Sequence, residues 1–136
     1  MSEERLEGGC QCGGVRYSVT KKPILTLLCH CRMCRRAHAA PAVAWALYET
    51  GDVVFSSAAP KQYASSEEVK RSFCGECGTQ ISFEASFLAG LTDVSIGSLD
   101  DPAALAPKMH SWYEEHLEWF EVSDTLKRHD QWPEFD

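Results

Sequence analysis

Polar and apolar residues alternate along much of the chain, and the alternation predicts strands. Val15-Arg16-Tyr17-Ser18-Val19-Thr20 follows Gly13-Gly14 and changes character at almost every residue, as a half-buried strand does. Pro23 breaks that run. Ile24-Leu25-Thr26-Leu27-Leu28 is a short apolar stretch leading straight into Cys29, and it reads as a buried strand. Ala42 to Tyr48 is strand-like, Asp52 to Phe55 follows a Thr50-Gly51 turn, and Thr92 to Leu99 alternates again. Val69 to Phe73 and Thr79 to Phe83 flank a Cys-Gly-Glu-Cys turn like the arms of a hairpin. Helical signal is sparse. Met33 to Ala40 forms one turn or a short helix, and Asp101 to Leu105 a helical turn with an Asp cap and Pro at its first position. Many short strands divided by Gly- and Pro-containing turns predict a mainly β domain of antiparallel sheets. With 136 residues and no repeat, low-complexity tract or long linker, residues 1–136 are read as one domain.

Composition then removes several functions. A hydrophobic content of 44% permits a real core, and no run of about 18 apolar residues is present to cross a membrane. A net charge of −7 argues against general affinity for nucleic acid, whose phosphates reward clustered Lys and Arg. No apolar leader follows the start Met-Ser-Glu-Glu-Arg, so a reducing cytoplasm is expected. Charge is unevenly spread: Arg32, Arg35 and Arg36 lie together without an acid between them, whereas His110 to Asp136 holds eight acids against Lys127 and Arg128.

The cysteines change the picture most. Seven of them fall into three tight groups: Cys10-Gln-Cys12, Cys29-His-Cys31-Arg-Met-Cys34 and Cys74-Gly-Glu-Cys77. An odd number, with two pairs only one residue apart, suits disulfides poorly and metal thiolates well, zinc above all. Cys10, Cys12, Cys74 and Cys77 sit in glycine-rich knuckles and are read as a closed four-sulfur shell that clamps the N-terminal strand to the hairpin. Gly75 and Gly78 are expected to let the backbone approach the sulfurs, with positive φ open to them. Cys29, Cys31 and Cys34 face one ion alone and leave it an open position. Water or an exogenous thiolate is the expected fourth ligand. His38 is a further candidate, whereas His30, flanked by two ligands, is expected to point away. His110, His116 and His129 have no assigned role. Trp45, Tyr48, Trp112, Tyr113, Trp119 and Phe120 are read as core or interface residues before pocket residues.

The ordered series Gly9-Cys10-Gln11-Cys12-Gly13, Cys29-His30-Cys31-Arg32-Met33-Cys34-Arg35 and Phe73-Cys74-Gly75-Glu76-Cys77-Gly78-Thr79 resembles the glutathione-dependent formaldehyde-activating, or centromere-protein-V-like, family. His110-Ser111-Trp112 and Trp132-Pro133-Glu134-Phe135 are similar to its C-terminal pattern. The resemblance implies an Mss4-like fold of antiparallel sheets. It also implies a structural zinc on Cys10, Cys12, Cys74 and Cys77, and a labile, catalytic zinc on Cys29, Cys31 and Cys34. The implied activity is carbon–sulfur chemistry that joins glutathione to formaldehyde. Expected partners are therefore a small thiol and an aldehyde, with neither nucleic acid nor membrane. Zinc lowers the pKa of a bound thiol, and a four-thiolate ion is a weak Lewis acid, which favours thiol activation over carbonyl polarisation. Arg32, Arg35 and Arg36 are the expected partners of a glutathione-like ligand's carboxylates. Two other readings stand beside this one: a non-catalytic adaptor or chaperone of Mss4-like type, and iron–sulfur or redox work by the three-cysteine group.

Overall fold

The computed structural model describes residues 5–134. The start read for a leader (residues 1–4) and the Phe135 that closes the C-terminal pattern lie outside them. Along the chain run β1 (Arg5–Gly9), β2 (Arg16–Thr20), β3 (Leu25–Cys29), α1 (Arg32–His38), β4 (Val43–Glu49) and β5 (Val54–Phe55). Then follow β6 (Lys61–Ala64), β7 (Val69–Phe73), β8 (Gln80–Ala85), β9 (Leu91–Ser95), β10 (Met109–Ser111) and β11 (Lys127–Arg128). The strands make a three-stranded sheet, β1-β2-β5, and an eight-stranded sheet, β11-β10-β3-β4-β9-β8-β7-β6.

The period-two pattern of β2 appears directly: Tyr17 and Val19 are buried, whereas Arg16, Ser18 and Thr20 are partly exposed. β4 is near-continuously apolar because both its faces are covered. Ala46 and Tyr48 join Leu6, Tyr17, Val19, Ile81 and Val94 in one core, which takes residues from both sheets. Val43 and Trp45 join Leu27, Phe83 and Ala85 in another. A bulge lets β8 serve both. Ser72 pairs with Ser82 and Phe73 with Gln80, so Ile81 is the extra residue. It packs in the first core while Phe83 and Ala85 pack in the second.

The fold is mainly β, as the alternation predicts, with four departures. The large sheet is mixed, because β10 runs parallel to both β3 and β11. The alternation of Thr92 to Leu99 divides, with Ile96–Ser98 turning as a 3-10 helix after β9. Asp101 precedes the turn that Pro102 opens, but its side chain makes no capping hydrogen bond. β1, β6, β10 and β11 are also unforeseen; all four are short, and β11 has two residues.

Candidate metal and substrate site

The two glycine-rich knuckles are closed by similar turns, the second one residue longer between its cysteine and its glycine. In the first, Gly13 N–H donates to Cys10 O (3.1 Å) and Cys10 N–H to Val15 O (3.0 Å). In the second, Gly78 N–H donates to Cys74 O (2.9 Å) and Cys74 N–H to Thr79 O (2.9 Å). Gly13 and Gly78 both sit at φ +83°, the left-handed region that glycine enters freely. Gly75 does not have positive φ; Gly13 takes the part expected of it. Gln11 N–H donates to the Thr79 hydroxyl (3.1 Å) and joins the turns.

These turns bring Cys10, Cys12, Cys74 and Cys77 together, with all four sulfurs within 4.8 Å of one another. Cys12 Sγ lies 3.6 Å from Cys10 Sγ and 3.8 Å from Cys74 Sγ. A tetrahedral ion with metal–sulfur bonds of about 2.3 Å needs sulfurs about 3.8 Å apart, so the set fits such an ion. Backbone donors already face the sulfurs. Val15 N–H reaches Cys10 Sγ (3.2 Å), and the N–H groups of Glu76 and Cys77 reach Cys74 Sγ (3.4 and 3.5 Å). The Thr79 hydroxyl and backbone hold the Cys77 thiol down to about 5, favouring the thiolate that binds metal.

The second group stands where β3 meets α1. Cys29 ends the strand, Cys31 caps the helix, and Cys34 lies in its first turn. Their sulfurs also lie within 4.8 Å of one another. Cys31 Sγ accepts from Cys34 N–H at 3.3 Å. Hydrogen bonds from the Cys29 and Cys34 thiols draw Cys31 down to about 2 and push Cys29 up in return. Arg71 on β7 lies beside this group and is only 4% exposed. Its Nη2 donates to Cys34 Sγ (3.7 Å), and its guanidinium stands 5.0 Å from the Phe83 ring centre. Its Nε and Nη1 have no partner among the described residues. A buried guanidinium needs an opposite charge, and Cys31, whose thiol the neighbouring cysteines and Arg71 hold down, is the sulfur of the group suited to supply it. Sequence reasoning passed over Arg71. The available signal was its phase: it shares a strand face with Val69.

His30 points away from the sulfurs, as its position between Cys29 and Cys31 implies. It is fully buried, and its Nε2 lies 2.8 Å from His110 Nδ1. His110 Nε2 in turn lies 3.1 Å from Asp124, which also accepts from Arg128 at 2.9 Å. Asp124 fixes the proton order: His110 donates through Nε2 and accepts at Nδ1 from His30. Burial pushes His30 down to about 4, so it stays neutral at pH 7. The chain of rings fastens residues 110–128 to the cysteine loop. Glu115 adds to this by accepting from Arg32 N–H at 2.7 Å and, through its carbonyl, from Arg35 at 3.4 Å. His38 packs edge-on against Trp45, with ring centres 5.2 Å apart, and is not grouped with the sulfurs.

Cys29, Cys31 and Cys34 open onto a cavity of about 310 Å³, whose other walls include Leu27, Trp45, Phe83, Phe87, Trp112 and Trp132. Of the aromatics noted in the sequence, Trp45 and Trp112 line it. Tyr48 is in the inter-sheet core, Tyr113 and Phe120 pack against His30, and Trp119 is 74% exposed. Arg32, Arg35 and Arg36 do not line the cavity. Arg36 is on the wall of an adjoining hollow that shares Met33, Ser65 and Arg71 with it. Asp93, unforeseen from sequence, does line the cavity. It is 9% exposed, makes no side-chain hydrogen bond among the described residues, and is pushed up to about 7 by burial.

The model of the glutathione-dependent formaldehyde-activating enzyme family matches residues 5–115. The chain belongs to this family. The matched span carries both cysteine groups, Arg71, Asp93, His30 and His110, while Asp124, Arg128 and Trp132 lie beyond it. No curated protein matches the chain. A Rhodobacter sphaeroides protein of known crystal structure shares the fold, with a TM-score of 0.59 at 20% identity, over 70% of this chain and 88% of that one. Among the described residues, no helix is long and apolar enough to cross a membrane.

For this member of the glutathione-dependent formaldehyde-activating family, Asp93 makes stability depend on pH. Its folded value of about 7 lies above the unfolded value of about 3.9. The neutral acid is therefore favoured in the fold, and its contribution is lost as pH rises through 7. Asp93→Asn removes that loss. Urea melts from pH 5 to 8 should show the variant gaining on the parent up to about pH 7 and levelling above it, by about 3 kcal/mol in all. Parallel pH curves would contradict it.

Proposed function

We propose that the chain is a cytoplasmic carbon–sulfur bond-forming enzyme, a single zinc-binding domain. It activates a glutathione-like thiol at a zinc on Cys29, Cys31 and Cys34 and adds it to formaldehyde or another aldehyde. One observation carries the reading: three cysteine sulfurs within 4.8 Å of one another form part of the wall of an apolar cavity. Zinc, when bound by three thiolates, supplies a fourth position at which a substrate thiol loses its proton.

The remaining work falls to the chain. Cys29, Cys31 and Cys34 would hold the ion. Three thiolates outweigh its two positive charges, and Arg71 beside Cys34 offsets the excess and favours arrival of a further anionic sulfur. The aromatic walls keep water from the reacting pair. A thiol with a carboxylate arm, its sulfur at the cysteines, meets Arg36 if the arm lies in the adjoining hollow. Cys10, Cys12, Cys74 and Cys77 would hold a second zinc with four sulfurs and no open position, a structural role.

Calorimetry of the zinc-loaded protein with glutathione, with and without formaldehyde, tests the reading. One thiol should bind per chain, releasing close to one proton at pH 7, and Cys31→Ser should abolish binding. A zinc-loaded protein that binds no thiol would favour the adaptor reading.

A further inference from the structure

We infer that the carbonyl partner at this site carries an apolar, ring-sized body with a hydrogen-bond donor at its far end. The inference rests on the thiol chemistry proposed above and names the substrate class of the same cavity. Formaldehyde is little larger than water, whose share of liquid volume is about 30 Å³, and with the thiol's arm in the adjoining hollow it leaves most of a 310 Å³ cavity unused. Leu27, Trp45, Phe83, Phe87, Trp112 and Trp132 offer such a small molecule nothing that they would not offer any apolar surface. They suit an aromatic ring, which buries about 150–250 Å².

Asp93 defines the far end. It is opposite Leu47 in the pairing of β9 with β4, whereas Cys29 is opposite Val43 in the pairing of β3 with β4. Four residues of strand separate these positions by about 13 Å along β4. Cys29 and the Asp93 carboxyl therefore line one cavity from strand positions well separated along β4. Arg71 lies in the same cross-strand row, opposite Phe83, but its guanidinium reaches Cys34 and Phe83. Asp93 is left buried with no partner among the described residues, and a buried carboxyl calls for one. A hydroxyl at the distal end of the ligand provides it.

In the reaction, the thiolate sulfur adds to the carbonyl carbon. A C–S bond forms, the π pair of C=O moves to oxygen, and the proton given up by the thiol returns to that oxygen through solvent. The product is an S-(1-hydroxyalkyl) adduct, and nothing is oxidised or reduced.

Unreactive alcohols test the assignment on the zinc-loaded full chain, read by fluorescence of the cavity tryptophans. 2-Phenylethanol should bind and methanol at equal concentration should not. 2-(4-Hydroxyphenyl)ethanol should bind about tenfold tighter than 2-phenylethanol, the worth of one hydrogen bond. Asp93→Leu should erase that tenfold preference and keep 2-phenylethanol binding. If that variant fails to fold, Asp93→Asn should reduce the preference at least threefold. Failure of both aromatic alcohols to bind, or a preference unchanged by both variants, would overturn the inference. Glutathione calorimetry separates the two readings: thiol binding without aromatic-alcohol binding sinks only this inference.

Discussion

Cys74→Ser is expected to destroy the fold, and Cys31→Ser to leave its melting temperature within a few degrees of the parent. The difference follows from what each sulfur joins. Cys74 is buried, receives two backbone N–H groups, and belongs to the cluster that links the end of β1 to the turn between β7 and β8. A structural zinc contributes about 10–16 kcal/mol of apparent binding free energy in small peptides, as much as the whole stability of an ordinary domain, about 5–15 kcal/mol. Cys31 is partly exposed on the cavity wall. Serine is itself a preferred N-cap residue and can accept from Cys34 N–H in the sulfur's place, so the substitution costs at most about 1 kcal/mol, or roughly 3–4 °C in a chain of this size. Thermal melts of both zinc-loaded variants decide the matter. Equal losses would show that the two groups share the structural task.

Arg71→Gln is expected to weaken the metal at Cys29, Cys31 and Cys34 about 10–100-fold, while the other cluster keeps its affinity. The guanidinium is the described cation nearest these sulfurs by hydrogen bond, and glutamine leaves their negative charge unopposed. Arg71→Lys should recover part of the loss, because it restores charge without the planar fork. Competition with a chromophoric chelator measures each variant. Unchanged affinity in Arg71→Gln would make the residue a packing element only.

Strands with a clear period, such as Arg16–Thr20, were legible, as was the short helix after Cys31. So was the gathering of cysteines into four and three: spacing within each knuckle is local, and the glycine-rich character shared by the first and third knuckles pairs them across the chain. The cavity was much less legible. Arg71, Asp93, Phe83 and Trp132 come from separate parts of the chain and converge only through cross-strand register and the return of the C-terminal segment. Arg32, Arg35 and Arg36 were conspicuous because charge clusters are visible in sequence. Helix geometry turns them away from the cavity, and Arg35 bonds the carbonyls of His30 and Glu115. β10 and β11 carry only three and two residues, too few for any period to show.

Graded chelation of the zinc-loaded wild-type chain, with elemental analysis and circular dichroism on each sample, tests the partition of sulfurs most directly. One ion should leave early while the spectrum stays native, and the second only as the sheets unfold. Two ions leaving together, or a chain that never holds more than one, would contradict it.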